Sequence, residues 1–277
     1  MHRRPSRLII PQYTPPQGVS VVAAAELLGE SRRAIAAQIV GFAVRKVVTI
    51  ARDPGKGRRS GFTLTYTGAA PGDPDEHAIL VTLFGNELLA GASLRLAPGR
   101  NRALGVSLKH PHRWIVARLV TAGLAREKSF WAKVFGRTEP SVPTPAAYPI
   151  VDHLWGVHDY IRFAEKDRIA FLQSPTGAQR TQLDVLVLNE KLLPYAVLFG
   201  LEKEWMKELD VQYRSLPPEL VADLGDVLLA ADVILTGAEL IVDLATLIDA
   251  ADALDGAGAV FGGIGDFLGG LDFPDFG

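Results

Sequence analysis

"SRRAIAAQIVGFAVRKVVTIARDPGKGRRSGFTLTYT", residues 31–67, decides how the first half of the chain is read. Its first part carries Ile35, Ile39 and Phe42 on one helical face, and Ser31 stands where an N-cap belongs. Its second part changes period. Two runs of alternating β-type residues flank a turn rich in glycine and arginine, the pattern of a β-hairpin. Upstream, "VSVVAAAELLG" (19–29) reads as another helix, closed by Gly29. Helix, helix, hairpin is the order of a winged-helix unit, and Lys56, Arg58 and Arg59 fall at the hairpin tip, where a wing would touch phosphate. The helix before the hairpin offers only Arg32, Arg33 and Gln38 for recognition. Its "IVGFAV" end suits packing better.

Working outward, "IPQYTPPQG" (Ile9 to Gly18) is an extended proline-rich lead-in. Asp73-Pro74-Asp75-Glu76 opens a helix that Gly85 should close. "ASLRLAPG" suits a short strand, and "PHRWIVARLVTAG" a helix beginning at Pro111 and ending at Gly123. Four prolines in "GRTEPSVPTPAAYP" (136–149) read as a linker. The expected division is therefore a lead-in (1–18), a winged-helix-like domain (19–135), the linker (136–149), a helical domain (150–214), an acidic amphipathic helix (215–255) and a Gly/Phe/Asp-rich tail (256–277). The fold class is α+β, mostly α.

In the helical domain, Leu154, Val157, Ile161, Ala164, Phe171 and Leu172 lie on one arc with Arg168 in its middle. Glu190 lies in the middle of the following apolar face. A charge centred on an apolar face is costly unless paired, so Arg168 and Glu190 are expected to meet, with Glu165 one turn away as a second partner, the alternative being that Arg168 snorkels to the surface. In "LLPYAVLFGLEKEW" (192–205), Pro194 should start or kink a helix, and Gly200 offers either a stop or a close helix contact. Leu201, Trp205 and Leu209 continue the stripe. This stretch reads as bent, buried core rather than as a site.

The composition excludes several classes. There is no cysteine, which removes disulfides and thiolate metal sites. The basic start Met1 to Pro5 is followed by no apolar segment of signal-peptide type. The apolar-rich stretch 220–260 is broken by acids too often for a lipid span. All 29 Lys and Arg lie at or before Arg214; 19 acids there leave +10, and the remainder has 12 acids and no base. That split favours contact between the two parts, or an anionic partner for the first.

Catalytic motifs are missing. No Gly-x-Ser-x-Gly elbow or His-Glu-x-x-His occurs, and "PGKGRRSG" lacks P-loop spacing. Asp152, His153, His158 and Asp159 are the one set with metal-ligand chemistry, at a spacing that matches no standard motif. No catalytic residue, cofactor or metal site is therefore expected.

"IPQYTPPQGVS", "LWGVHDYIRFAEKDRIAFLQSP" and "LLPYAVLFGLEKEW" together resemble the cytoplasmic part of the YciQ-like family of predicted bacterial membrane proteins, whose function is unknown. The similarity covers most of residues 9–213, and Trp155, Tyr160, Pro194, Tyr195, Gly200 and Trp205 are its motif residues. Members have an export signal, an extracytoplasmic β-rich domain and membrane spans, all of which this sequence lacks. The resemblance implies a cytoplasmic interaction module at the inner face of the membrane, with a protein partner, and no catalytic residues. Nucleic-acid binding through the hairpin is the alternative, and a metal enzyme the third reading.

Overall fold

The computed structural model describes residues 8–52, 61–96, 102–127, 141–172 and 190–202, together with 204, 205, 207 and 209. In chain order the elements are α1 (Val21–Leu28), α2 (Ser31–Val44), β1 (Val48–Arg52), β2 (Phe62–Tyr66), α3 (Pro74–Phe84), β3 (Ser93–Leu96), α4 (Arg102–Thr121), β4 (Ala125–Glu127), β5 (Ser141–Pro143), a 3-10 turn (Pro145–Ala147), α5 (Tyr148–Leu172) and α6 (Leu193–Phe199). This is an α+β arrangement, mostly helical, with one small antiparallel three-stranded sheet.

The sheet follows from the alternation in the sequence. In register Val48 faces Tyr66, Ile50 faces Leu64, and Arg52 faces Phe62. Val48, Ile50, Phe62, Leu64 and Tyr66 are buried, while Thr63 and Thr65 between them lie on the outer side. Period two thus sorts apolar from polar across the pleat. β3 adds to the other edge of β2, with Leu96 opposite Phe62.

The helix ends are where local chemistry and expectation meet. Ser20 caps α1, taking the N–H of Ala23 at 3.1 Å, and Gly29 closes it at φ 71°. Asp73 caps α3, Pro74 opens it, and Gly85 ends it. Ser31, expected as a cap, is instead the first residue of α2; Glu30 holds the cap position without a side-chain bond. Pro111 does not begin a helix but lies within α4. Proline removes one backbone bond, to the carbonyl four residues back. That residue, Ser107, is exposed.

Two junctions are built alike. After α2 the chain passes through Lys46 at φ 56°, with Val47 N–H bonded to Phe42 O at 2.8 Å. After α4 it passes through Gly123 at φ 69°, with Leu124 N–H bonded to Leu119 O at 2.9 Å. Each is a left-handed helix stop of the Schellman kind. A threonine then closes each hairpin: Thr67 donates its N–H to Val47 O and its hydroxyl to Lys46 O, and Thr144 does the same to Leu124 O and Gly123 O. The equivalent residues are 77 positions apart throughout (46 and 123, 47 and 124, 67 and 144). The chain therefore contains two helix–hairpin units. The second includes β5, so residues 141–149, read from their prolines as linker, carry a strand, a 3-10 turn and the start of α5.

One core spans what the sequence divides into two domains. α2 lies between α1 and α6, and its small residues Ala34, Ala37 and Gly41 let both neighbours approach. Leu193, Tyr195, Val197 and Leu198 of α6 are all buried, each contributing roughly 1.5–3 kcal/mol by leaving water. Pro194 sits in the first turn of α6 and Gly200 closes it at φ 73°, as their chemistry requires. The lead-in is packed rather than loose: Ile9 is buried, and Thr14 O accepts from His153 Nε2 at 2.7 Å.

Two glycines make a test of this packing. A Cβ on Gly156 of α5 would stand 2.7 Å from Gln12 Cγ and press on the Ile10 carbonyl, so the lead-in crosses here because no side chain intervenes. A Cβ on Gly41 would stand 3.5 Å from Pro194 Cγ, an ordinary contact. Gly156→Ala is expected to cost roughly 1–3 kcal/mol from overpacking. Gly41→Ala should be neutral or stabilise by up to about 1 kcal/mol through helix propensity. Urea midpoints of the two variants check the contrast.

Candidate functional site

The polar side chains with the most chemistry gather at the N-terminus of α3. Glu76 is buried and accepts three bonds: from Arg45 Nη2 at 2.6 Å, Gln38 Nε2 at 3.1 Å and Gly72 N–H at 2.6 Å. Asp75, also buried, accepts from Ser20 Oγ at 2.8 Å and pairs with Arg118. Asp73 accepts the Glu76 N–H at 3.0 Å. One helix start thus holds α1 through Ser20, α2 through Gln38 and Arg45, and α4 through Arg118. The positive end of the α3 dipole favours carboxylates at this spot. A second buried pair, Glu26 with His112, joins α1 to α4.

Electrostatics within this hub are uneven. Burial is the main influence on Asp73 and raises its pKa above the ordinary value of about 3.8, with Glu76 and Asp75 adding to the rise. Burial likewise pushes the Tyr195 hydroxyl well above the usual range, with Glu76 acting in the same direction. Tyr195 therefore stays neutral at physiological pH. Gln38 Oε1 and Glu26 Oε2 are buried and meet no donor among the described residues.

The LPYAVLFG helix is fastened by a residue the sequence had offered to nucleic acid. Arg33 Nη1 donates to Val197 O at 3.1 Å and to Glu202 Oε2 at 3.1 Å. Its guanidinium sits at the carbonyl end of α6, where positive charge is favoured. Gln38 is fully buried against Glu76. Both side chains that α2 offered for recognition thus face protein; the side chain of Arg32 lies outside the described set.

The remaining expected residues divide as follows. Lys56, Arg58 and Arg59 lie outside the described residues, as do the side chains of Glu165 and Arg168, while Glu190 is buried. Trp155, Tyr160 and Trp205 are all buried, Tyr160 meeting Trp205 edge-on at 6.1 Å. Of the four candidate metal ligands, His158 Nδ1 lies 3.3 Å from Asp159 Oδ1, a neighbouring pair rather than a cluster. His153 is spent on Thr14, and His158 packs its ring against Trp155 at 5.2 Å and Phe199 at 5.1 Å. Among the described residues no group of three or more His, Asp or Glu is placed to hold a metal.

What sequence reasoning missed is the outer side of α4. Val106, His110, Arg113 and Trp114 are all exposed and recur at helical spacing along one face. Val106 and Trp114 are 47% and 43% accessible, large values for apolar side chains of that size. Arg118 stacks over Trp114, its guanidinium carbon 5.0 Å from the ring centre, while also holding Asp75. No acid occurs anywhere in α4. The signal was present: "HPHRWIVAR" combines basic and aromatic residues. Pro111, taken as a helix start, cut the face in two.

No protein-family model, curated protein or solved structure matches the chain. Among the described residues no helix is long and apolar enough to cross a membrane.

Three outcomes follow from the geometry. Glu76→Ala should cost about 2–4 kcal/mol, since it strands buried Gln38 while the part-exposed Arg45 regains water. Chemical denaturation reads it. Arg33→Met should speed hydrogen exchange in residues 193–199 selectively, by about tenfold for a bond pair worth about 1.4 kcal/mol. For Asp73 the folded pKa is raised, so stability present below the unfolded value is lost as pH rises through the folded one. Asp73→Asn keeps a capping oxygen. Its melting temperature should exceed the parent's at neutral pH, and the gap should close below about pH 4.

Proposed function

We propose that the chain is a non-catalytic interaction module which receives a protein partner on the outer face of α4. In keeping with the YciQ-like resemblance, it acts at the inner face of a membrane, as the cytoplasmic part of such a protein. The observation that carries this reading is the exposed row Val106, His110, Arg113 and Trp114. Trp and Arg are the residues on which binding energy concentrates at protein interfaces. The other charged clusters are occupied in holding helices together: Asp75 and Glu76 are bound to three elements, and Arg33 to α6.

A pull-down from solubilised membranes tests it, comparing the full chain with its Trp114→Ala variant. A partner retained by the parent should bind about 30-fold more weakly to the variant, the equivalent of a 2 kcal/mol hot spot. The variant's melting temperature should fall only slightly, because the residue is 43% accessible and Arg118, which stacks on the ring, keeps its pairing with Asp75. Equal retention by both chains would sink the reading.

Nucleic acid is the second reading, favoured by the lack of any acid in α4 and by its place directly before a hairpin. Fluorescence anisotropy of labelled duplex DNA across a salt series separates the two. A log-log slope of about -0.9 per phosphate, abolished by Arg113→Glu, would move the assignment to DNA. Negligible binding at about 150 mM salt leaves the protein partner.

A further inference from the structure

We infer that the second helix–hairpin unit repeats the first down to its helix seat, and that the open face of α4 receives a partner's helix as α2 receives α6. The inference rests on the reading of that face as an interaction surface. It adds the kind of partner: a short apolar helix lying antiparallel to α4.

The repeat is wider than the two junctions. A shift of 77 carries α2 (31–44) onto 108–121, the last part of α4, and α3 (74–84) onto 151–161, within α5. It also carries strand register onto strand register. Val48 opposite Tyr66 becomes Ala125 opposite Pro143, and Ile50 opposite Leu64 becomes Glu127 opposite Ser141. The inward helix faces agree as well: Gln38, Ile39 and Phe42 are buried in α2, and so are Ile115, Val116 and Leu119 in α4, 77 positions later. Helix, hairpin, helix thus occurs twice, with one spacing and the same side of the first helix turned inward.

What differs is the row that meets α6. On α2 it is Arg33, Ala37 and Gly41, four apart and so in line along the helix. Both ends of the row are tied to α6. Arg33 binds the Val197 carbonyl near the end of that helix, and Gly41 stands against Pro194 at its start. α6 therefore runs antiparallel to α2. The counterparts on α4 are His110, Trp114 and Arg118, and all three are exposed. Among the described residues the second seat is built and left open.

Those three side chains set what fits. His110 stands where Arg33 stands, and an imidazole N–H serves the last carbonyls of a helix as a guanidinium does. Trp114 replaces Ala37 and offers an apolar ring, with Arg118 stacked on it and anchored to Asp75. A ring in mid-row sets the two axes nearer 10 Å than 8 Å apart. The partner helix must then reach across with long apolar side chains, as Tyr195 and Leu198 do in α6. A helix is favoured over other occupants because the established interface on the equivalent row already holds one.

The test titrates the full chain into the fluorescein-labelled, end-blocked peptide of residues 192–205, the segment that fills the first seat, and reads anisotropy. Micromolar binding is expected. It should weaken about 30-fold with Trp114→Ala and about threefold with His110→Ala, circular dichroism showing both variants folded. Direction is read with p-benzoylphenylalanine at Val106 or at Thr121 of the full chain. The first should cross-link to the C-terminal half of the peptide and the second to its N-terminal half. Absent binding, binding indifferent to Trp114 or the reverse pattern of cross-links overturns the inference. So does a Val106 photoprobe that prefers added duplex DNA or a second copy of the chain to the peptide. If a membrane partner depends on Trp114 while the peptide does not bind, the interaction reading stands and the helix seat falls. If the peptide binds as described and no membrane partner depends on Trp114, the seat stands and the membrane-partner reading falls.

Discussion

Two carboxylates in the first turn of α3 determine how the helices stand to one another. Asp75 and Glu76 are buried, and ionised groups in such a place are tolerated only when hydrogen-bonded on several sides. Ser20, Gln38, Arg45 and Arg118 supply those bonds from three other helices. Apolar packing alone would let α1, α2 and α4 slide over small residues such as Ala34 and Ala37. The directional bonds remove that freedom. α3 is thus the register mark of the body.

The pattern explains why chemistry-bearing residues here are poor guides to chemistry. Arg33 carries the charge expected of a nucleic-acid contact, yet it closes the carbonyl end of α6 and pairs with Glu202. His153 and His158 carry the nitrogens expected of a metal site, yet one holds a backbone carbonyl and the other packs against two aromatic rings. For two of these the partner is distant in sequence: Arg33 and Val197 are 164 positions apart, and His153 and Thr14 are 139 apart. A residue's role was decided by what the fold brought to it.

That also marks what could be read from the residues beforehand. Strands β1 and β2 were legible because period two is local, and the stops at Gly29, Gly85, Gly123 and Gly200 because a helix end is a local event. Burial of LPYAVLFG was legible from its composition, but not its seat against α2, a helix more than 150 positions away in the chain. The hub was illegible: nothing in "DPDE" beyond its capping value says that Asp75 and Glu76 point inward. Prolines misled twice. Pro111 sits in mid-helix, and Pro143 ends a short strand, a position where its missing N–H does no harm.

The repeated helix–hairpin junction gives the last step. Lys46 and Gly123 adopt the same left-handed stop, and Thr67 and Thr144 close it with the same hydroxyl bond, so the two units share a local design. Their helices nevertheless meet different fates. α2 presents Ala34, Ala37 and Gly41 to its surroundings and is enclosed by α1 and α6; α4 presents His110, Arg113 and Trp114 and is left open on one side. Small residues invite a helix to pack, while large amphipathic ones hold water or a partner at the surface. One junction has thus been used once to build the core and once to display a face. The difference lies in a handful of side chains rather than in the backbone.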